Sequence, residues 1–260
     1  MLAEHLSERI AHSSATAKVA IALGMFVLWT LATWVLEGRR LTLLRPEAWL
    51  DRATYAVLAN LVLGILVGLW VHRRLAGGGF IPPDRAGFRA RRRTAVAVAS
   101  ALALGVVSYL KLGSASTDPV IAANVFAQVF AVSAAEVIVC WVVVGATIES
   151  ALRDLGRPGS TLVALVSASI VFGLYHFGHS PPFNTWAMVG FLTIIGLLTG
   201  AFYFAVRDVY GTIVFHNFLA TIGVLRSLED AGLLSTLNDP AYPLFATALI
   251  AVSILASADR

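Results

Sequence analysis

Three ionisable side chains stand in stretches where this chain otherwise carries no charge. Glu136 lies within "FAQVFAVSAAEVIVCWVVVGATIES", and the next charge is Glu149. His176 ends "SASIVFGLYH", forty residues after Glu136, and His216 follows after another forty inside "YGTIVFHNFLA". An ionisable group at membrane depth costs at least ~2.5–3.5 kcal/mol on insertion scales, so its presence points to a use. The plainer reading of Glu136 is a neutral carboxyl hydrogen-bonded to a neighbouring helix. Two histidines on two further apolar segments favour a shared site instead.

The chemistry open to one carboxylate and two imidazoles is limited. The carboxylate can take a proton from water as a general base. An imidazole can orient that water, or donate to an oxyanion and a leaving amine. The same three groups could also hold a metal such as zinc, although no cofactor is strictly required. There is no HExxH or GxSG motif and no pair of aspartates in the apolar segments, which argues against zincin, serine and aspartyl chemistry. Near His176, the side chain of Phe172 one turn earlier reads as a packing residue. His179 reads as an interfacial bystander before the Pro181-Pro182 stop. His5, His12 and His72 lie near segment ends or in polar surroundings.

The elements that must position these residues follow from composition. The 260 residues are 58% hydrophobic and 13% charged, with mean hydropathy +0.80. A soluble domain of this size carries about 25% charged residues, so polar surface is lacking. Continuous apolar runs match the ~20-residue span of a bilayer and do not alternate as barrel strands do. The expected fold is all-α: a polytopic transmembrane bundle of about eight helices, at 18–36, 55–71, 94–110, 119–148, 160–176, 186–206, 210–225 and 242–256. The expected segmentation is an N-terminal piece (1–17), three helices with a basic loop at 73–93 (18–112), a core (119–226), and a last helix with the C-terminus (227–260). No removable signal peptide is read at the N-terminus. Cys140 is the only cysteine, which excludes a disulfide framework.

With eight spans, thirteen Lys and Arg fall on the side of the termini and six on the other. The positive-inside rule then places both termini in the cytoplasm of an integral protein, here expected in a bacterial plasma membrane. The net charge of +4 is mainly this asymmetry. Its expected partners are membrane lipids rather than nucleic acid, with "RAGFRARRR" lying on anionic headgroups. Gly196 and Gly200 form a GxxxG pair that would let the sixth helix pack between the fifth and seventh. One difficulty stands out. His176 lies ~24 Å along its helix from Ser160, but His216 only ~9 Å along its helix from Tyr210. A shared site needs one of these helices to start at an unusual depth.

These residues resemble the CPBP family, the CAAX prenyl endopeptidases of type II and their ABI and bacteriocin-processing relatives. "FGLYH" fits that family's FxxxH motif, and "FHNFLA" is similar to its later His motif. Glu136 falls where the family has Glu-Glu-x-x-x-Arg. The resemblance covers about residues 120–226. It implies an intramembrane endopeptidase acting on a membrane-anchored or lipid-modified peptide or protein. Glu136 would be the general base, His176 would help hold the water, and His216 would stabilise the oxyanion. A metal, if used, would take the same three residues. The chain departs from the pattern in three ways. Ala135 replaces one glutamate, Cys140 or Trp141 stands where the arginine would be, and Ala220 replaces the Asn four residues after His216. Asn217 is adjacent but rotated about 100° from His216 on a helix; with His179 and Phe172 it stands as a possible supporting residue of the site. Two other readings remain at this stage: an inactive relative serving as scaffold or immunity factor, and a transporter using Glu136 and the histidines as a relay.

Overall fold

The computed structural model describes residue 10, residues 13–112 and residues 115–258. Of the residues used in the sequence reading, His5, Arg9, His12 and Arg260 lie outside the described residues. Among the described residues there are eight principal helices. They are α1 (Ala15–Leu36), α2 (Trp49–Gly79), α3 (Arg91–Lys111), α4 (Pro119–Ala151), α5 (Gly156–Tyr175), α6 (Trp186–Val206), α7 (Val209–Asp230) and α8 (Tyr242–Ala258). Seven are long and apolar enough to cross a membrane, and α8 has 17 residues. The expected all-α polytopic bundle is the observed fold.

Local chemistry sets the helix starts. Asp118 caps α4 by accepting from Val120 N at 2.7 Å, with Pro119 at the first helical position. Thr185 caps α6 and Asp208 caps α7 in the same way. Such caps satisfy backbone N–H groups that a helix cannot pair within itself.

The bundle is built around α4. The most apolar window of α4 is 89% buried, against 22% for α1 and 17% for α3, so the helix that carries Glu136 is the central post. Beyond Glu136 it widens into π-helical geometry over Val137–Gly145, a form frequent at functional sites. Outer helices turn Leu104, Val107, Leu162 and Ile170 outward, as apolar side chains facing lipid would lie.

Small residues set the close approaches. A Cβ on Gly64 would lie 2.3 Å from Ala135 Cβ, and one on Gly196 would lie 2.9 Å from the Phe172 ring. A Cβ on Gly200 would meet Leu165 at 2.5 Å and Trp141 Nε1 at 2.6 Å. The sixth helix therefore packs against α5 and α4 through its glycine pair. Gly200→Leu is expected to cost about 1–3 kcal/mol by overpacking. The check is the midpoint of thermal unfolding in detergent, and an unchanged midpoint would contradict this contact.

The depth difficulty is resolved at the start of α7. Arg207, Asp208 and Val209 are all buried. The loop that follows α2 covers them: Val209 N–H donates to Gly87 O at 2.8 Å, and Arg89 Nε donates to Arg207 O at 2.9 Å. Thr94 donates to Asp208 at 2.6 Å. Thus α7 begins inside the bundle. His216, although near its N-terminus, reaches the level of Phe172, with ring centroids 5.1 Å apart.

Candidate active site

Glu136 is 4% exposed at the centre of α4. His216 Nε2 lies 2.8 Å from its Oε2, and His176 Nε2 lies 3.7 Å from its Oε1. The carboxylate thus stands between two imidazoles on two other helices. The outer nitrogen of each ring is anchored. His176 Nδ1 donates to Phe172 O at 2.9 Å, because a carbonyl can only accept. That leaves Nε2 of a neutral His176 as an acceptor. His216 Nδ1 lies 2.9 Å from Thr199 Oγ1 on α6. An ionised Glu136 requires Nε2–H on His216, so Nδ1 accepts from the Thr199 hydroxyl.

Phe172 is a wedge between the two histidines, edge-on to His176 at 4.7 Å and to His216 at 5.1 Å. Trp141, at one of the two places where the family pattern has arginine, completes this apolar wall 5.6 Å from His216. The environment is dry on that side, which strengthens charge interactions at Glu136.

Thr199→Val would remove the anchor of His216 while preserving shape. The expected result is a roughly tenfold loss of turnover, the equivalent of one lost net hydrogen bond, with little change in unfolding midpoint. A steady-state assay beside a melting curve reads both.

Three expectations need correction. Asn217 does not support the site: its Nδ2 donates to Phe126 O at 3.1 Å, on the α4 turns before Glu136. His179 is not a bystander at the water boundary. Its side chain is 12% exposed and its ring lies 5.2 Å from that of His176 at an angle of 27°. His72 is not in polar surroundings, being 2% exposed with Nδ1 3.1 Å from Val142 O.

The metal-competent grouping also differs. One ligand atom each from Glu136, His176 and His179 lie within 4.8 Å of one another. His216 is outside that group, and its two nitrogens face Glu136 and Thr199. Two imidazoles and a carboxylate suit zinc, so the donor set fits a divalent cation.

Two carboxylates escaped the sequence reading. Glu37, at the end of α1, accepts from Ser180 N at 2.9 Å and from the Ser180 hydroxyl, and lies 3.2 Å from His179 Nδ1. Glu149 is wholly buried and pairs with Arg207 at 2.5 and 2.6 Å. Arg207, counted among the loop cations, is therefore an internal ion-pair partner. Each residue sits at a helix end or in a short loop, where sequence shows no sign of burial.

The helices that carry Glu136, His176 and His216 coincide with a family match: residues 119–222 fit the model described as type II CAAX prenyl endopeptidase Rce1-like. This segment is similar to the CAAX endopeptidase family. No curated protein and no solved structure matches the chain. In the matched segment, α4 supplies Glu136, the end of α5 supplies His176 and α7 supplies His216. Glu37 comes from α1, outside the matched segment.

Proposed function

We propose that this membrane protein is an intramembrane endopeptidase that hydrolyses a peptide bond of a membrane-anchored or lipid-modified substrate. The observation that carries the reading is Glu136, buried in the family segment between His216 Nε2 at 2.8 Å and His176 Nε2 at 3.7 Å. A water beside that pair could donate one hydrogen to His176 Nε2 and the other to Glu136. Glu136 then takes the proton as the hydroxide adds to the scissile carbonyl. A neutral carboxyl accepts hydrogen bonds more weakly than a carboxylate. Protonation of Glu136 therefore loosens its hold on the His216 N–H, which becomes available to the developing oxyanion.

A divalent cation such as zinc would instead take Glu136, His176 and His179, and would supply a water of lowered pKa. The hydrolytic reading holds with either arrangement. An inactive scaffold would need the fold but not the ionisable cluster, and a proton relay would use Glu136 without cutting anything. The test is the full chain in proteoliposomes, with cleavage of lipid-modified peptides followed by mass spectrometry. Cleavage lost in both Glu136→Gln and His176→Ala is the expected result. Cleavage retained in both correctly inserted variants would refute the protease reading, and proton-coupled flux lost in Glu136→Gln would favour transport.

A further inference from the structure

The reaction proposed above lacks one participant: something must protonate the leaving nitrogen. Amide cleavage needs this because an amine anion is too poor a leaving group to depart alone. His216 Nε2 is engaged with Glu136, and His176 Nδ1 is engaged with a backbone carbonyl. His179 is placed differently. Its Nδ1 faces Glu37 Oε2 at 3.2 Å, and its Nε2 is buried without a hydrogen-bond partner. The same residue falls in the cluster with Glu136 and His176 whose ligand atoms lie within 4.8 Å.

The backbone enforces this placement. A Cβ on Gly38 would lie 2.2 Å from Gly178 O, and a Cβ on Gly178 would lie 2.9 Å from Thr30 O. Only two glycines allow the end of α1 to touch the turn after α5 this closely. The contact brings Glu37, one residue before Gly38, and His179, one residue after Gly178, onto each other. Ser180 clamps the carboxylate from a second side through its N–H and its hydroxyl. Tyr55 from α2 and Tyr175 from α5 pack T-shaped with His179, ring centroids at 6.0 and 4.8 Å. The groups facing His179 are thus Glu37, Tyr55, Glu136, Tyr175 and His176. Glu37 and Glu136 are the carboxylates among these.

We infer that His179, oriented by Glu37, is the general acid of this peptidase, and that the first helix thereby completes a site the family segment leaves unfinished. The inference rests on the proposed hydrolytic reading. Protonated His179 donates through Nδ1 to Glu37 and through Nε2 to the scissile nitrogen. When the carbon–nitrogen bond of the tetrahedral intermediate breaks, its electron pair goes to nitrogen, which takes the His179 proton. The proton that Glu136 removed from water then passes to His179 Nε2, directly or through one water. Both groups return to their starting states, and the products are a carboxylic acid and an amine. His179 is a catalytic residue in this scheme and Glu37 a positioning residue.

The test compares two peptides with the same sequence, one with an amide and one with a thioester at the scissile position, using the full chain in phospholipid nanodiscs. A thiolate leaves without a proton, so only the amide needs the acid. His179→Asn is expected to lower amide turnover by about 10²–10³-fold while changing thioester turnover less than about threefold. Glu37→Gln should show the same selective loss, at about tenfold. Added imidazole should restore part of the amide activity of His179→Gly. Equal losses on both substrates in both variants would overturn the inference, leaving the protease reading intact. So would one equivalent of zinc in the purified chain that disappears with His179→Asn, since His179 would then be a ligand. A parent protein inactive on both substrates would sink the protease reading and this inference with it.

Discussion

Glu136→Gln is expected to reduce peptide hydrolysis by about 10²–10⁴-fold, the usual contribution of a positioned acid–base group. The size of the effect follows from what Gln retains and what it loses. Its amide oxygen can still accept from His216 Nε2, the contact now made at 2.8 Å. Its volume also matches, so the fully packed wall of Phe172 and Trp141 has no reason to move. What Gln cannot do is take a proton from water. The variant should therefore melt at a temperature close to that of the parent while losing turnover, with KM little affected. Glu136→Ala would show a different pattern. It leaves both imidazoles facing an empty space and should lower stability as well as rate. A Glu136→Gln protein that keeps more than about a tenth of parental activity would contradict the general-base role, because the expected range starts at ~10²-fold.

The second large effect concerns stability, at the other end of the bundle. Arg207 donates to Glu149 through both terminal nitrogens, at 2.5 and 2.6 Å, and Thr161 donates to the same carboxylate at 2.5 Å. Side-chain exposure is 4% for Arg207 and 0% for Glu149, so neither charge has access to solvent. Removing one partner strands the other. Glu149→Ala is expected to cost about 3–5 kcal/mol, read as a large fall in resistance to denaturant titration in detergent micelles. Replacing both, as in Glu149→Leu with Arg207→Met, should recover much of that loss, since a well-packed apolar pair avoids the desolvation penalty. Activity should fall in Glu149→Ala at temperatures where the protein still folds. Arg207 and Asp208 anchor the recessed start of α7, and with it the height of His216. A single variant as stable as the parent would mean that the pair is hydrated and contributes little.

The sequence alone determined the parts of this protein that depend on one-dimensional pattern. Continuous apolar runs are set by bilayer thickness, so eight helices and their approximate ends were readable. Isolated Glu136, His176 and His216 were readable too, because a titratable group in hydrocarbon has no cheap explanation. Helical rotation set Asn217 about 100° from His216, and the structure turns that side chain toward Phe126, away from the supporting place open to it in the sequence.

Only the tertiary structure decided which polar residues at helix ends are internal. Glu37 in "VLEGRR" and His179 before Pro181 look like ordinary boundary residues, yet a glycine-to-glycine backbone contact brings them together beside the site. Arg207 in "VRD" looks like a loop cation, yet it is sealed against Glu149. The depth of α7 was likewise beyond reach, because it depends on a loop more than a hundred residues earlier folding over residue 209. Hydropathy reports whether a segment prefers lipid. It carries no information on which two segment ends approach each other, and at those ends burial comes from long-range packing rather than from local composition.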